Sequence, residues 1–250
     1  MNQRLFKLKN LFQEAVAPAE FKCLNCGADV FDELGFCPKC LQEVTFNNGK
    51  TCKRCGVAIH GEEDYCGHCA FEKTYFDRAY SPFCYTGAVQ HAILQMKFQR
   101  MATNAKVLAR YLVFCAQKYE LQFDTVTYVP MTAKAKRKRG YNQAQLLAMH
   151  FCDILNVSAP IALLSKVKET ELQENLNRQG RKENIAGAFV STGEAKGKRV
   201  LVIDDIKTSG ATLNECAKAL KKKGATSVEC LTVASREEDF VAELQWDKGE

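Results

Sequence analysis

The stretch VLVIDDIKTSGAT, residues Val200 to Thr212, decides the fold that this sequence predicts. Four apolar residues run directly into two adjacent aspartates, Asp204 and Asp205. A continuous apolar run is typical of a central strand in a parallel sheet, because helices cover both faces of such a strand. The aspartates then lie at the carboxyl end of the strand, which is where open α/β sheets bind their ligands.

The loop after this strand has the composition of a phosphate site. It consists of Thr208, Ser209, Gly210, Ala211 and Thr212. Successive backbone N–H groups and the start of a helix near Leu213 bind anions, and glycine lets a ligand approach the backbone closely. Carboxylates only accept hydrogen bonds, which suits the neighbouring hydroxyls of a sugar. The stretch therefore predicts a ribose 5-phosphate site; the alternative is a strand and a capped helix with two solvated aspartates.

Strand and helix patterns alternate around this stretch after about residue 75. Strands are predicted at DTVTYVP, IALLS, KRVLVID and SVECLTVA, and helices at HAILQMKF, NAKVLARYLVFCAQKY, NQAQLLAMHFCDIL and TLNECAKALKKKG. This alternation predicts an α/β domain over residues 76–238, a parallel sheet flanked by helices on both faces. Glu169–Asn184 is polar and has little pattern, which indicates an excursion from the domain.

Eight of the 13 cysteines form four CxxC pairs ahead of this domain, in a module predicted at residues 21–72. The second four cysteines repeat the first four at an offset of 29 residues, and Gly27 and Gly56 occupy matching positions. The eight are Cys23, Cys26, Cys37, Cys40, Cys52, Cys55, Cys66 and Cys69.

Four thiolates from two CxxC turns close a tetrahedral zinc site that has no open position for a catalytic water. Disulfides require an oxidising compartment, and a redox dithiol does not usually occur four times in a repeat. The sequence therefore predicts two structural Zn²⁺ ions. It leaves the ligand pairing open between one ion per copy and a cross-braced or nested arrangement, with His60 and His68 as substitute ligands. The other five cysteines are expected in the core.

Composition excludes few function classes. The chain has 250 residues, is 46% hydrophobic and carries a net charge of +6, which is only mildly basic. No apolar run approaches the length that crosses a bilayer, so no membrane span is expected. Residues 1–20 lack the apolar core of a signal peptide and instead have helical spacing at Leu5, Leu8, Phe12 and Val16, which predicts an amphipathic helix and a cytoplasmic protein.

The signature stretch resembles the phosphoribosyl pyrophosphate motif of type I phosphoribosyltransferases, and the chain as a whole resembles the ComF competence family. The second resemblance covers the CxxC modules, YTG at Tyr85–Gly87, MKF at Met96–Phe98, YVPM at Tyr128–Met131 and KRKRGYNQAQLLA at Lys136–Ala148. It continues in a spaced pattern at Thr170, Gln173, Leu176, Arg181, Asn184 and Phe189. Lys207 departs from the signature, which more often has an apolar or aromatic residue there.

The resemblance implies a phosphoribosyltransferase fold that binds phosphoribosyl pyrophosphate and Mg²⁺. By the match, Asp204 and Asp205 hold the ribose hydroxyls and Thr208–Thr212 hold the 5-phosphate. Val129–Met131 would lie near the pyrophosphate, which Lys134, Arg137 and Arg139 would contact, and residues 170–184 would cover the site. The basic run is alternatively a solvated loop. The sequence identifies no acceptor and leaves open whether transfer is catalysed.

The same resemblance implies a factor of DNA uptake or DNA utilisation. Basic runs at Lys134–Arg139 and Lys221–Lys223, together with aromatic residues such as Tyr141, favour binding of single-stranded DNA. Lys50, Lys53 and Arg54 place further positive charge in the zinc module. Competence-machinery proteins such as a DNA helicase or translocase are expected partners. The alternatives are an active phosphoribosyltransferase with an unidentified acceptor and a non-catalytic sensor of phosphoribosyl pyrophosphate.

Overall fold

The computed structural model describes residues 21–30, 34–59, 61–170, 178–191, 193 and 195–236. The predicted helix at 1–20, His60, Gln173 and Leu176 lie outside these residues. Within the described ranges, every helix is too short or too polar to cross a bilayer.

The central sheet is parallel, as the alternating pattern predicts. Its strands are β3 (Arg78–Tyr80), β4 (Phe83–Cys84), β5 (Thr125–Tyr128), β8 (Arg199–Lys207) and β9 (Ser227–Ser235). The order is β3-β9-β8-β5, and β4 continues along β9 beyond β3. The apolar run of the signature therefore forms the middle of β8, between β5 and β9.

Helices cover both faces of the sheet. They are α3 (Gly87–Phe98), α4 (Asn104–Lys118), α5 (Ala133–Arg139), α6 (Gln143–Leu155), α7 (Arg178–Ile185) and α8 (Ala211–Lys222). Leu201 and Ile203 of β8 pack in one buried cluster with residues of α3, α4 and α6. Val200 and Val202 pack in a second cluster with residues of α8. This alternation confirms that the strand is buried on both faces.

The polar segment predicted at Glu169–Asn184 lies between the two strands of an antiparallel hairpin. Strand β6 (Leu164–Lys166) pairs antiparallel with β7 (Phe189–Ser191), and α7 lies between them in the chain. The strand expected at IALLS begins only at Leu164, because Ile161 instead donates its backbone N–H to Val126 O of β5 at 2.9 Å.

The described residues of the cysteine-rich part form short elements: β1 (Phe21–Lys22), β2 (Asp29–Val30), α1 (Pro38–Leu41) and α2 (Gly67–Phe71). The described buried residues of its two halves belong to two different hydrophobic clusters. Cys23, Leu24 and Phe36 join the cluster of α3 and α4, whereas Cys52, Val57 and Cys69 join the cluster of α8. The repeat thus places one copy against each of the two hydrophobic clusters.

The five remaining cysteines occupy the core, as expected. All have at most 3% of their surface exposed: Cys84, Cys115, Cys152, Cys216 and Cys230. Burial raises the pKa of Cys216 and Cys230 well above the ordinary thiol value, so both remain neutral packing groups.

Candidate metal centres and phosphoribosyl cavity

Two four-cysteine clusters lie in the structure, and each belongs to one copy of the repeat. The candidate ligand atoms of each lie within 4.8 Å of one another: Cys23, Cys26, Cys37 and Cys40 in the first, and Cys52, Cys55, Cys66 and Cys69 in the second. The pairing left open by the spacing is therefore one ion per copy. His68 belongs to neither cluster.

The donor sets fit zinc. Cys37 N donates to Cys23 Sγ at 3.3 Å, and Cys55 N donates to Cys52 Sγ at 3.5 Å. Backbone N–H groups directed at sulfur stabilise thiolates, which are the form that binds metal. Four soft ligands leave no open position, so Zn²⁺ bound there would cross-link the two CxxC turns and would be structural.

A cavity of about 680 Å³ opens at the carboxyl ends of β5 and β8. Asp204, Asp205, Thr208, Gly210 and Thr212 line it, as do Val129, Pro130 and Met131 after β5. Ser209 and Ala211 of the same loop instead line a neighbouring cavity of about 390 Å³. The structure thus brings both predicted ribose residues and three of the five predicted phosphate residues into one cavity at this edge of the sheet.

The two aspartates have different partners. Asp205 Oδ2 lies 3.3 Å from Lys97 Nζ, and Asp204 Oδ1 accepts a hydrogen bond from Asp205 N at 2.9 Å. Burial and the neighbouring carboxylate of Asp205 raise the pKa of Asp204 to about 8. Burial acts to lower the pKa of Lys97, but the two carboxylates raise it above its ordinary value. Burial and the paired carboxylates therefore favour the protonated form of Asp204.

A left-handed glycine lies in the middle of the predicted phosphate loop, where α8 begins. Gly210 has φ +77° and is the N-cap residue of α8, with no side-chain cap hydrogen bond. A side chain at this φ would be strained. Ser209 Oγ accepts from Ala211 N at 3.4 Å. The first turn of α8 is therefore arranged to receive an anion in place of a side-chain cap.

The basic run forms a helix, α5, and not the solvated loop that was its alternative. Thr132 Oγ1 accepts from Ala135 N at 3.3 Å at its start, and Gly140 ends it with φ +94°. Of the three cations predicted to contact pyrophosphate, Arg139 lines the cavity, whereas Lys134 and Arg137 are exposed on the helix surface. Arg139 Nη1 donates to Gln143 Oε1 at 2.9 Å, which orients it.

Three cavity-lining cations were not predicted from the sequence: Lys97, Lys166 and Arg236. Lys97 lies within MKF, so the family resemblance contained its signal, although nothing in the local pattern indicates that it meets Asp205. Burial lowers the pKa of Lys166. Lys166 ends β6, and Arg236 directly follows β9. Both residues lie at the carboxyl end of a predicted strand, and that position could have identified them from the sequence.

Carboxylate oxygens are ligands that suit Mg²⁺, which usually binds one or two carboxylates together with substrate phosphates. Asp204 and Asp205 fit that role, because both carboxylates line the cavity together with Thr208, Gly210 and Thr212 of the adjoining loop. These two residues would hold the ion together with a bound phosphoribosyl ligand.

Comparison with known proteins identifies both parts of the chain. The family model of the phosphoribosyl transferase domain matches residues 114–249, and that of the double zinc ribbon domain matches residues 12–70. Competence protein F of Haemophilus influenzae is 32% identical over 145 residues, 55% of this chain and 63% of that protein. DNA utilization protein YhgH of Salmonella typhimurium is 29% identical over 150 residues, 58% and 66% of the two chains. The chain thus spans less than two thirds of these curated relatives.

A solved structure of the allosteric regulatory enzyme of purine biosynthesis is 22% identical, covering 51% of this chain and 25% of that one with a TM-score of 0.35. The family model, which matches more than half of the chain, carries the assignment. The similarity to competence and DNA utilization proteins agrees with the ComF resemblance of the sequence. The chain therefore belongs to the phosphoribosyl transferase domain family, with a double zinc ribbon ahead of that domain.

Proposed function

We propose that this chain is a cytoplasmic ComF-type protein of DNA uptake or DNA utilisation, and that its cavity binds phosphoribosyl pyrophosphate with Mg²⁺. One observation supports the ligand: Asp204 and Asp205 line the same cavity as Thr208, Gly210 and Thr212 of the loop. The carboxylates would accept hydrogen bonds from the ribose hydroxyls, and the loop amides would bind the 5-phosphate.

The remaining cavity groups suit the pyrophosphate. Val129–Met131 lie after β5, and Arg139 and Lys97 supply positive charge beside them. If transfer occurs, the bond between the anomeric carbon and pyrophosphate breaks, and an acceptor forms the new bond at that carbon. Bound Mg²⁺ would stabilise the charge of the leaving pyrophosphate. Arg139 and Lys97 would orient it, and none of these side chains need form a covalent intermediate.

The paired variant Asp204→Asn and Asp205→Asn tests this proposal. Each lost hydrogen bond to a charged acceptor is worth about 1.5–3 kcal/mol, so affinity should fall on the order of a hundredfold or more. Titration calorimetry with phosphoribosyl pyrophosphate and Mg²⁺ is the measurement. Hydroxyl donors favour the ionised form of Asp204, so binding releases a proton below its pKa of about 8. The affinity of the unmodified protein should therefore rise from pH 6 to pH 8.

Asp153→Asn is the matched control, because Asp153 lies on α6 with its side chain 73% exposed. It should bind as the unmodified protein does, and the pH dependence should disappear in Asp204→Asn alone. Unchanged affinity in a folded double variant would remove the phosphoribosyl site from this cavity.

Single-stranded DNA is the second ligand that we propose, on α5 beside the cavity mouth. The helix carries Lys134, Lys136, Arg137 and Lys138 on its exposed surface. At the mouth, the Phe98 ring is 62% exposed and lies 5.6 Å from the Arg139 guanidinium. Positive charge next to an exposed aromatic ring suits a strand that offers phosphates and stackable bases.

Neutralising Lys136, Arg137 and Lys138 to glutamine should weaken oligonucleotide binding and reduce its salt slope by roughly 0.7 per lost phosphate contact. The matched control neutralises the other basic run, Lys221–Lys223. It should leave both the oligonucleotide affinity and its salt slope unchanged. If only the control variant lost oligonucleotide affinity, the DNA-binding site would lie at the end of α8 instead. Absence of binding at low salt would remove DNA from the proposal.

A transferase and a sensor would share this cavity, and pyrophosphate release distinguishes them. Release that requires both phosphoribosyl pyrophosphate and an added acceptor would identify a transferase. Binding without release across candidate nucleobases, amines and oligonucleotides would favour a sensor. The competence-machinery partner, expected to be a helicase or translocase, is tested by co-purification from cells that take up DNA.

A further inference from the structure

Lys207 is the residue at which this chain departs from the phosphoribosyl signature, and it is unusually buried. Only 4% of its surface is exposed. Among the charged residues that the structure describes, only Asp205 and Lys207 are buried. Asp205 has Lys97 as its partner, whereas no described carboxylate lies within 4.0 Å of the Lys207 ammonium. Because a buried, uncompensated charge is costly, Lys207 requires a source of negative charge other than a carboxylate.

The position of Lys207 is fixed by the sheet. It is the last residue of β8, in register with Ser235 of β9, and its carbonyl accepts from Arg236 N at 2.9 Å. It lines both the phosphoribosyl cavity and the neighbouring cavity of about 390 Å³. Cys55 and Cys69 of the second metal cluster line that neighbouring cavity. Lys207 therefore lies between the phosphate loop and a metal site.

The second metal site is a source of negative charge. Four thiolates around one Zn²⁺ leave a net charge of about −2. The cluster is almost closed to water, with exposed fractions of 0% for Cys52, 8% for Cys55, 6% for Cys66 and 1% for Cys69. Cys55 and Cys69 of this cluster line the same cavity as Lys207. A buried ammonium and a cluster of negative charge therefore line one cavity.

We infer that Lys207 is the charge partner of the second metal site, and that this role explains a lysine within the phosphate-binding signature. Lys207 is a positioning residue: its positive charge stabilises the thiolate shell across the cavity that it shares with Cys55 and Cys69, and it is not itself a metal ligand. The inference depends on the metal cluster and is independent of whether phosphoribosyl pyrophosphate binds. It predicts that one of two sites with identical ligands depends on this residue.

The test compares Lys207→Met with Lys207→Arg in the full chain loaded with two cadmium ions per molecule. Cadmium NMR gives one resonance for each four-cysteine site, so chelator competition can be followed separately at both. Methionine keeps an unbranched side chain of similar volume, one atom shorter, and removes the charge. We expect the second site to lose metal at roughly 10- to 100-fold lower chelator concentration, the usual cost of removing an outer-shell partner. Its resonance should shift, while the first site is unchanged and Lys207→Arg restores the second.

Lys218→Met is the matched control, because Lys218 lines the same cavity but pairs with Glu215 at 3.6 Å. It should change neither site. Equal retention of both metals in Lys207→Met would overturn the inference, and a ligand-binding loss with unchanged metal retention would assign Lys207 to the phosphate alone. If Lys207→Met fails to fold, Lys207→Gln replaces it in the same competition, with the same two outcomes.

Discussion

The two zinc ribbons have the same ligand spacing, yet the fold gives them different surroundings. In the first, Cys26 is exposed and Cys37 is partly exposed; in the second, all four cysteines are buried. Water can compensate the charge of the first site, and the second must rely on protein groups. The same short motif can therefore form a partly exposed metal site in one copy and a buried metal site in the other.

Their contacts with the main domain differ in the same way. The first ribbon docks on helices: Gln95 Nε2 of α3 donates to Asn25 O at 3.1 Å, and Tyr111 Oη of α4 donates to Leu34 O at 2.7 Å. The second docks on the sheet, where Ala79 N of β3 donates to Arg54 O at 2.8 Å. Of the described residues of the first ribbon, none lines either cavity, whereas the second ribbon borders the phosphate loop.

The largest difference in stability between the two ribbons is expected when one cysteine ligand is removed from each metal site. Cys26→Ser and Cys55→Ser occupy matching positions of the repeat. Cys55→Ser leaves three buried thiols without a closed site and should lower the free energy of unfolding by more than about 4 kcal/mol, because metal loss belongs to the most damaging class of change. Cys26→Ser should cost clearly less, because water can reach the vacated position. Zinc content and the thermal midpoint are the measurements.

Equal destabilisation by the two serine variants would contradict this asymmetry. Ribose 5-phosphate affinity provides a second comparison between them. It should fall only in Cys55→Ser, because Cys55 and the loop residue Ser209 line the same cavity.

Alanine substitutions at the two matching glycines should give an intermediate difference in stability. Gly27 and Gly56 both have positive φ, +75° and +67°, so alanine is strained at either position by about 1–2 kcal/mol. A Cβ at Gly27 meets no atom within 4 Å, whereas one at Gly56 would lie 2.2 Å from Ala79 O of β3. Gly56→Ala must displace sheet backbone and should cost roughly a further 1–3 kcal/mol. Denaturant unfolding of the two variants is the measurement, and similar midpoints would show that the second ribbon is not held against β3.

The sequence predicted correctly those features of the structure that depend on residues close together in the chain. The apolar run into Asp204, the loop to Thr212 and the metal ligands follow from strand burial, turn chemistry and CxxC spacing, which neighbouring residues determine. The docking of the two ribbons against opposite clusters could not be predicted, because it depends on contacts such as Tyr111 with Leu34, which are distant in sequence. The Lys97–Asp205 pair was missed for the same reason. The helix at Ala133–Arg139 has no buried residue and depends on its cap at Thr132 and its stop at Gly140.

Removing a single hydrogen bond between each ribbon and the main domain should give the smallest difference in stability. Asn214 Oδ1 of α8 accepts from Tyr75 N at 2.7 Å, just after the second ribbon, and Asn214→Ala removes this bond. Tyr111→Phe removes the bond to Leu34 O of the first ribbon and keeps the ring. One such bond is worth about 0.5–1.5 kcal/mol, and alanine regains part of it in Asn214→Ala through its higher helix propensity. Stability therefore separates the two variants poorly.

Ligand affinity should separate them. Asn214 lies in the first turns of α8, directly after the phosphate loop, and lines the cavity that Ser209 and Ala211 also line. Releasing it from Tyr75 allows the start of the helix to move relative to the ribbon, so ribose 5-phosphate affinity should fall roughly two- to fivefold, a part of the value of one hydrogen bond. Tyr111→Phe should leave that affinity unchanged, because Tyr111 is on α4 and lines neither cavity. Calorimetry on both variants decides: an equal loss would mean that the first ribbon supports the phosphate loop as much as the second does.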